Sequence, residues 1–87
     1  MKVIINGRKY DTETARLLGR IMNENASIGC QVFDELYRKK TGEFFQYLWR
    51  EFYGDEIVPL TEQEAREWME EHSSVDLYEE IFGEVEE

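Results

Sequence analysis

The side chains that could do chemistry in this chain are few, and carboxylates dominate them. One histidine, His72, and one cysteine, Cys30, stand against twenty acidic residues. Nucleophilic catalysis needs a thiol or hydroxyl with a base brought against it. Cys30 has no histidine or lysine at a fixed local spacing, so it reads as a small, partly buried residue. His72 falls on the apolar side of a helical pattern, at its end, where an imidazole serves packing or the helix dipole. No His or Cys pair has metal-ligand spacing, and neither a glycine-rich phosphate loop nor an EF-hand pattern is present. Glu pairs recur at 70–71, 79–80 and 86–87, but solvated helix faces have the same look as acid–base pairs. The expectation is a protein with no catalytic residues, no metal, no cofactor and no enzymatic activity.

Charge says more, through its placement. Residues 1–60 hold nine acids and nine bases, whereas 61–87 hold eleven acids and a single base, Arg66. The whole formal charge of −10 therefore belongs to the last third of the chain. Direct contact with nucleic acid is disfavoured, because phosphates require Lys and Arg. The one basic cluster, Arg38-Lys39-Lys40, reads as a solvated turn. Carboxylates three and four apart on a helix lie about 5–6 Å from one another. Glu62, Glu67, Glu70, Glu71, Glu79 and Glu80 thus form a candidate acidic face for a basic protein partner, attracted at long range and weakened by salt. Such a contact needs anchors as well, and Trp49, Phe52 and Tyr53 are the candidates.

Elements must place these residues. Eighty-seven residues make one domain, and a chain of that size buries roughly 60–65% of its unfolded surface. Twelve aromatics help, since each can bury about 150–250 Å². No apolar run approaches a membrane span and no signal segment opens the chain, so the expectation is a soluble protein of the bacterial cytoplasm. Asn6-Gly7 between two short β-prone runs predicts a hairpin over 2–10. Asp11 or Thr12 then reads as the cap of a helix over 12–22, with Ala15, Leu18, Ile21 and Met22 as its apolar stripe. Gly19 inside that stripe costs about 1 kcal/mol against alanine. Residues 23–30 read as a loop.

Two patterns compete over 32–53. Phe44, Phe45, Leu48, Trp49, Phe52 and Tyr53 recur at helical spacing. Lys39-Lys40-Thr41-Gly42 is instead hairpin-turn chemistry, with Gly42 where positive φ is wanted. The turn has the more specific mechanism, giving a hairpin over 32–48 and a helical turn over 49–53. Beyond it, Thr61 and Glu64 form a capping box, and Leu60 can staple onto Ala65. A helix over 61–72 lines one face with Ala65, Trp68, Met69 and His72, with Glu62 and Arg66 as an i, i+4 pair. Ser73 or Ser74 caps a second helix over 74–82, whose Leu77, Tyr78, Ile81 and Phe82 face inward and whose end is marked by Gly83. "EVEE" at 84–87 should fray. The fold class expected is α+β: a small antiparallel sheet of hairpins 2–10 and 32–48, packed with an N-terminal helix and two C-terminal helices.

"YDTETARLLG", "ELYRKKTGEFF", "IVPLTEQEAREWMEEH" and "YEEIFGE" together resemble small acidic proteins of Gram-positive bacteria, their phages and mobile elements. The resemblance implies a hairpin at the Leu-Tyr-Arg-Lys-Lys-Thr-Gly segment and an acidic helix opened by Ile-Pro-Leu-Thr. It departs after Phe45, where "QYLWREFYG" stands in place of a glycine-rich bend. Size, charge and setting are anti-CRISPR-like. The expected function is an inhibitor that blocks a basic nucleic-acid-binding surface of a host defence effector by charge mimicry. The alternative is a structural interaction module, monomeric or homodimeric, joined through the aromatic hairpin.

Overall fold

The computed structural model describes residues 1–25 and 30–83, with side chains for all of these except 23–25 and 30. Six strands and two helices follow in order: β1 (Lys2–Ile5), β2 (Arg8–Asp11), β3 (Arg16–Asn25), β4 (Cys30–Arg38), β5 (Phe44–Arg50), β6 (Gly54–Leu60), α1 (Glu62–His72) and α2 (Val75–Phe82). Local turn chemistry explains two of the joints. Asn6 (φ 53°) and Gly7 (φ 75°) both take left-handed backbone, as a type I′ loop requires, and bring Ile5 opposite Arg8. At the second joint the Gly42 N–H donates to the Lys39 carbonyl at 2.9 Å. Gly42 holds φ at 95°, so the β4–β5 hairpin closes with Arg38 opposite Phe44.

β1 and β2 form a two-stranded sheet, and β3-β4-β5-β6 form an antiparallel sheet of four strands. Residues alternate between its two faces. On one face Leu18, Leu36 and Phe44 pack with Ala65, Trp68 and Met69 of α1, and the inner side of α2 leans on the same cluster through Leu77, Tyr78, Ile81 and Phe82. On the other, Tyr37, Phe45 and Ile57 pack with Tyr10 of the β1–β2 hairpin, joined by Val3 and Ile5. Layered cover on both sides lets β4 and β5 carry long side chains in both directions, with Leu36 and Phe45 fully buried on opposite faces.

The expected α+β arrangement with a helix over 12–22 is corrected: the described residues are mostly β, with six strands in two antiparallel sheets and, among them, two C-terminal helices. The capping chemistry at Asp11 exists but serves a single turn. Its Oδ1 accepts the Glu13 N–H at 2.9 Å and its carbonyl accepts the Ala15 N–H at 3.1 Å. From Arg16 onward the chain pairs with β4 instead. A β-bulge between Leu17 and Gly19 leaves Leu18 buried toward the helices, an irregularity that imitated helical spacing. Gly19 has a steric reason to be glycine. A Cβ there would come within 2.8 Å of Trp68 Cζ3 and 2.9 Å of Cη2.

Two further expectations are corrected. No helical turn spans 49–53, since Trp49 and Arg50 complete β5 and only 51–53 form the turn into β6. The loop over 23–30 gives way to strand through Asn25 and again from Cys30. Residues 26–29, the Cys30 side chain and 84–87 lie outside the described residues. β3 and β6 are the edges of the sheet, and Pro59 lies on the second of them.

Candidate functional site

The acidic face depends on how α1 is started and rotated. Thr61 Oγ1 accepts the Glu64 N–H at 3.1 Å, and Glu64 Oε1 accepts the Thr61 N–H at 3.0 Å, which closes the capping box and fixes the first turn. Ala65, Trp68 and Met69 are then buried in the core. Below them Asp34 ties sheet to helix: its carboxylate accepts from Trp68 Nε1 at 3.2 Å and from Gln46 Nε2 at 3.1 Å. With 100° per residue, burial of 65, 68 and 69 turns Glu67 and Glu70 outward, flanked by Glu62 and Glu71.

All four of these glutamates are exposed, but their surroundings differ. Glu62 accepts from Arg66 at 3.2 Å, so part of its charge is offset. Glu71 lies 3.4 Å from His72 Nε2. His72 itself packs edge-on against Trp68, ring centres 5.0 Å apart, at the carboxyl end of α1. Glu70 takes a long bond from the Tyr78 hydroxyl at 3.4 Å, and Glu67 meets only the Gln63 amide at 3.3 Å. On α2, Glu80 is bound by Arg16 at 3.1 Å, and Glu79 is half-buried and engaged. The structure therefore gathers Glu62, Glu67, Glu70 and Glu71 on one helix, with Glu67 and Glu70 free of any cation, and draws Glu80 away toward β3.

The aromatic candidates separate in the same manner. Trp49 is half-buried in the sheet face turned toward β1–β2, where its ring leans on Phe33 at 5.0 Å. Phe52 and Tyr53 stand in the β5–β6 turn at 83% and 64% exposure. Tyr53 N–H donates to the Arg50 carbonyl at 3.1 Å, and Phe52 sits at φ 71°, the third position of a turn that favours glycine or asparagine. A bulky residue held there costs about 1–3 kcal/mol. No packing recovers that cost, because the ring is in water.

Electrostatics beside this region are set by burial. Burial, then the Glu35 carboxylate, pushes the Tyr37 phenol up to about 12, and its hydroxyl donates to Glu35 at 3.1 Å. Burial followed by the bond to Asp55, at 2.8 Å, pushes Tyr47 up to about 12 as well. Glu43, at the β4–β5 turn, is held below the ordinary carboxylate range by the Arg8 guanidinium at 2.8 Å.

Asp34 and Gln46 are positioning residues that the sequence alone does not single out. Their signal is weak: Asp34 stands beside Glu35 in a strand that also carries Gln31 and Arg38, and Gln46 faces Asp34 only once β4 and β5 are paired. Among the described residues no group of three or more His, Cys, Asp or Glu is placed to hold a metal, and no helix is long and apolar enough to cross a membrane. No protein-family model, no curated protein and no solved structure matches this chain.

Proposed function

We propose that the protein is a small inhibitor that presents α1 to a basic, nucleic-acid-binding surface of a partner protein, in the way a phage or mobile-element product would block a host defence effector. The observation that carries this reading is the outer face of α1. Glu67 and Glu70 point outward there with no cation beside them, Glu64 and Glu71 are exposed on one flank, and on the other flank the helix's one cation, Arg66, is tied to Glu62. Such a row attracts a basic groove from beyond contact distance and fades with ionic strength. Phe52 and Tyr53, exposed at the sheet tip, supply the kind of aromatic surface that anchors a protein contact.

Co-purification from a native-host lysate at low and high salt tests the reading. The expected partner handles nucleic acid, is retained at low salt, and is lost when Glu67 and Glu70 are both changed to lysine. Both positions are exposed and unpaired with cations, so circular dichroism of Glu67→Lys/Glu70→Lys should match the parent. A partner that the reversed variant still holds, or no such partner at either salt, overturns the proposal. The strained, exposed Phe52 favours a second reading, a homodimerising or accessory module joined through the aromatic tip. Light scattering after size exclusion separates the two. A mass of one chain, 10.5 kDa, at micromolar concentration removes the second.

A further inference from the structure

The cations of this acidic protein are distributed unevenly between paired and unpaired. Among the described residues, Arg8 and Lys39 pair with Glu43, Arg16 with Glu80, Arg20 with Glu35, Arg50 with Glu56 and Arg66 with Glu62. Lys2, Lys9, Arg38 and Lys40 are the cations left without a carboxylate. Three of those four, Lys9, Arg38 and Lys40, come together at one end of the molecule. Arg38 and Lys40 line a cleft of about 520 Å³ between the Asp11–Ala15 turn and the β4–β5 turn, with Thr14, Arg16, Lys39 and Thr41. Lys9 lines an adjoining cleft of about 260 Å³ that shares Thr14, Lys39, Lys40 and Thr41.

No acidic residue lines the larger cleft. Asp11 lines the smaller one, but it is buried and its Oδ1 is occupied by the Glu13 N–H at 2.9 Å. Glu43 lies next to the larger cleft and is already shared by Arg8, Lys39 and Thr41. Arg38 also lines a second cleft, of about 460 Å³, with Phe44, Glu43 and Glu62; its guanidinium carbon lies 5.7 Å from the Phe44 ring centre, and its buried Nε has no hydrogen-bond partner. In a chain of net charge −10 the overall field repels anions. Unpaired cations held together against that field mark a local preference for negative charge.

We propose that this cleft binds a phosphate group. The donors fit that chemistry better than a carboxylate. A guanidinium offers a fork of N–H groups, lysines offer point charges, and Thr14 offers a hydroxyl, while that of Thr41 already donates to Glu43. Together they approach an oxyanion from more directions than two carboxylate oxygens can use. A phosphate carries about −1.5 to −2 charges and three acceptor oxygens. The group could arrive free, as a small phosphorylated molecule, or within a nucleic-acid backbone. The site is separate from the α1 face and stands whether or not that face binds a protein.

Amide NMR with inorganic pyrophosphate tests the site directly. Shifts confined to 14–16 and 38–42 are expected. Lys40→Ala, at an exposed residue with no side-chain partner, and Arg38→Lys, which keeps charge but loses the fork, should each weaken binding by about fivefold or more. The undisturbed remainder of each spectrum reports that the fold is retained. A short DNA duplex added in place of pyrophosphate distinguishes the sources. The same amides responding at a lower phosphate concentration assigns the site to a backbone, and a response to pyrophosphate alone assigns it to a small phosphorylated molecule. No response to either at millimolar concentration, or shifts that Lys40→Ala and Arg38→Lys both leave unchanged, overturns the proposal.

Discussion

The two faces of the four-stranded sheet differ in how they are finished. The helix-covered face is closed: Leu36, Phe44, Trp68 and Met69 meet in one cluster, and Asp34 satisfies the indole N–H inside it. The opposite face is covered only where β1–β2 reaches. Tyr37, Phe45 and Ile57 are buried there. The next row along the strands, Met22 opposite Phe33 and Phe33 opposite Trp49, relies on itself. Arg20 stacks over Phe33 at 4.5 Å, while Met22 stays 64% exposed. One face holds the fold, and the other has side chains to spare for contact.

The sharpest break of that contrast is Leu36→Ala. Removing a fully buried side chain beneath the helices should cost about 2–5 kcal/mol, and Phe33→Ala on the open row should cost clearly less in the same urea titration. Equal losses would mean that the open row is also core. Gly19→Ala comes next, since the added methyl meets the Trp68 ring and overpacking of this kind costs about 1–3 kcal/mol. A neutral result would show that Trp68 can move aside. Phe52→Gly should act in the other direction, raising the unfolding free energy from the urea titration by roughly 0.5–1 kcal/mol while removing an aromatic from the tip. A loss of stability would mean that the ring packs after all.

The last test is read on the alkaline limb of stability. Tyr37 and Tyr47 are raised from 10.0 to about 12, so their stabilising contribution is complete below pH 10. It is lost as pH climbs toward 12, where the unfolded chain ionises first. Tyr37→Phe should flatten that alkaline loss, followed by circular dichroism, and an unchanged slope would count against a buried neutral phenol.

What could be read from the sequence was what local chemistry decides. Asn6-Gly7, Lys39–Gly42 and the Thr61–Glu64 box each need only a few neighbouring residues, and each is found in the structure. β3 was illegible because Ala15, Leu18, Ile21 and Met22 keep helical spacing through a bulge. Its strand identity comes from β4, which requires a partner on each side. β6 is not legible as a strand because Ile57–Leu60 contains Pro59 and leads into a helix cap, and only its pairing with β5 shows it to be one. The acid row on α1 follows from helical period. The basic cleft does not, because Lys9 and Arg16 reach Arg38–Thr41 only through tertiary contact.

The unlike edges of the sheet govern how copies could join. β6 carries Pro59, which has no N–H to donate, and its other half is Gly54-Asp55-Glu56, with both acids engaged by Tyr47 and Arg50. That edge resists a neighbouring strand. β3 offers a run of ten residues without proline. A sheet with one receptive edge per molecule can add a single neighbour, receptive edge to receptive edge, and then has none left. Association by strand pairing would therefore end at a closed eight-stranded pair and not propagate into a fibre.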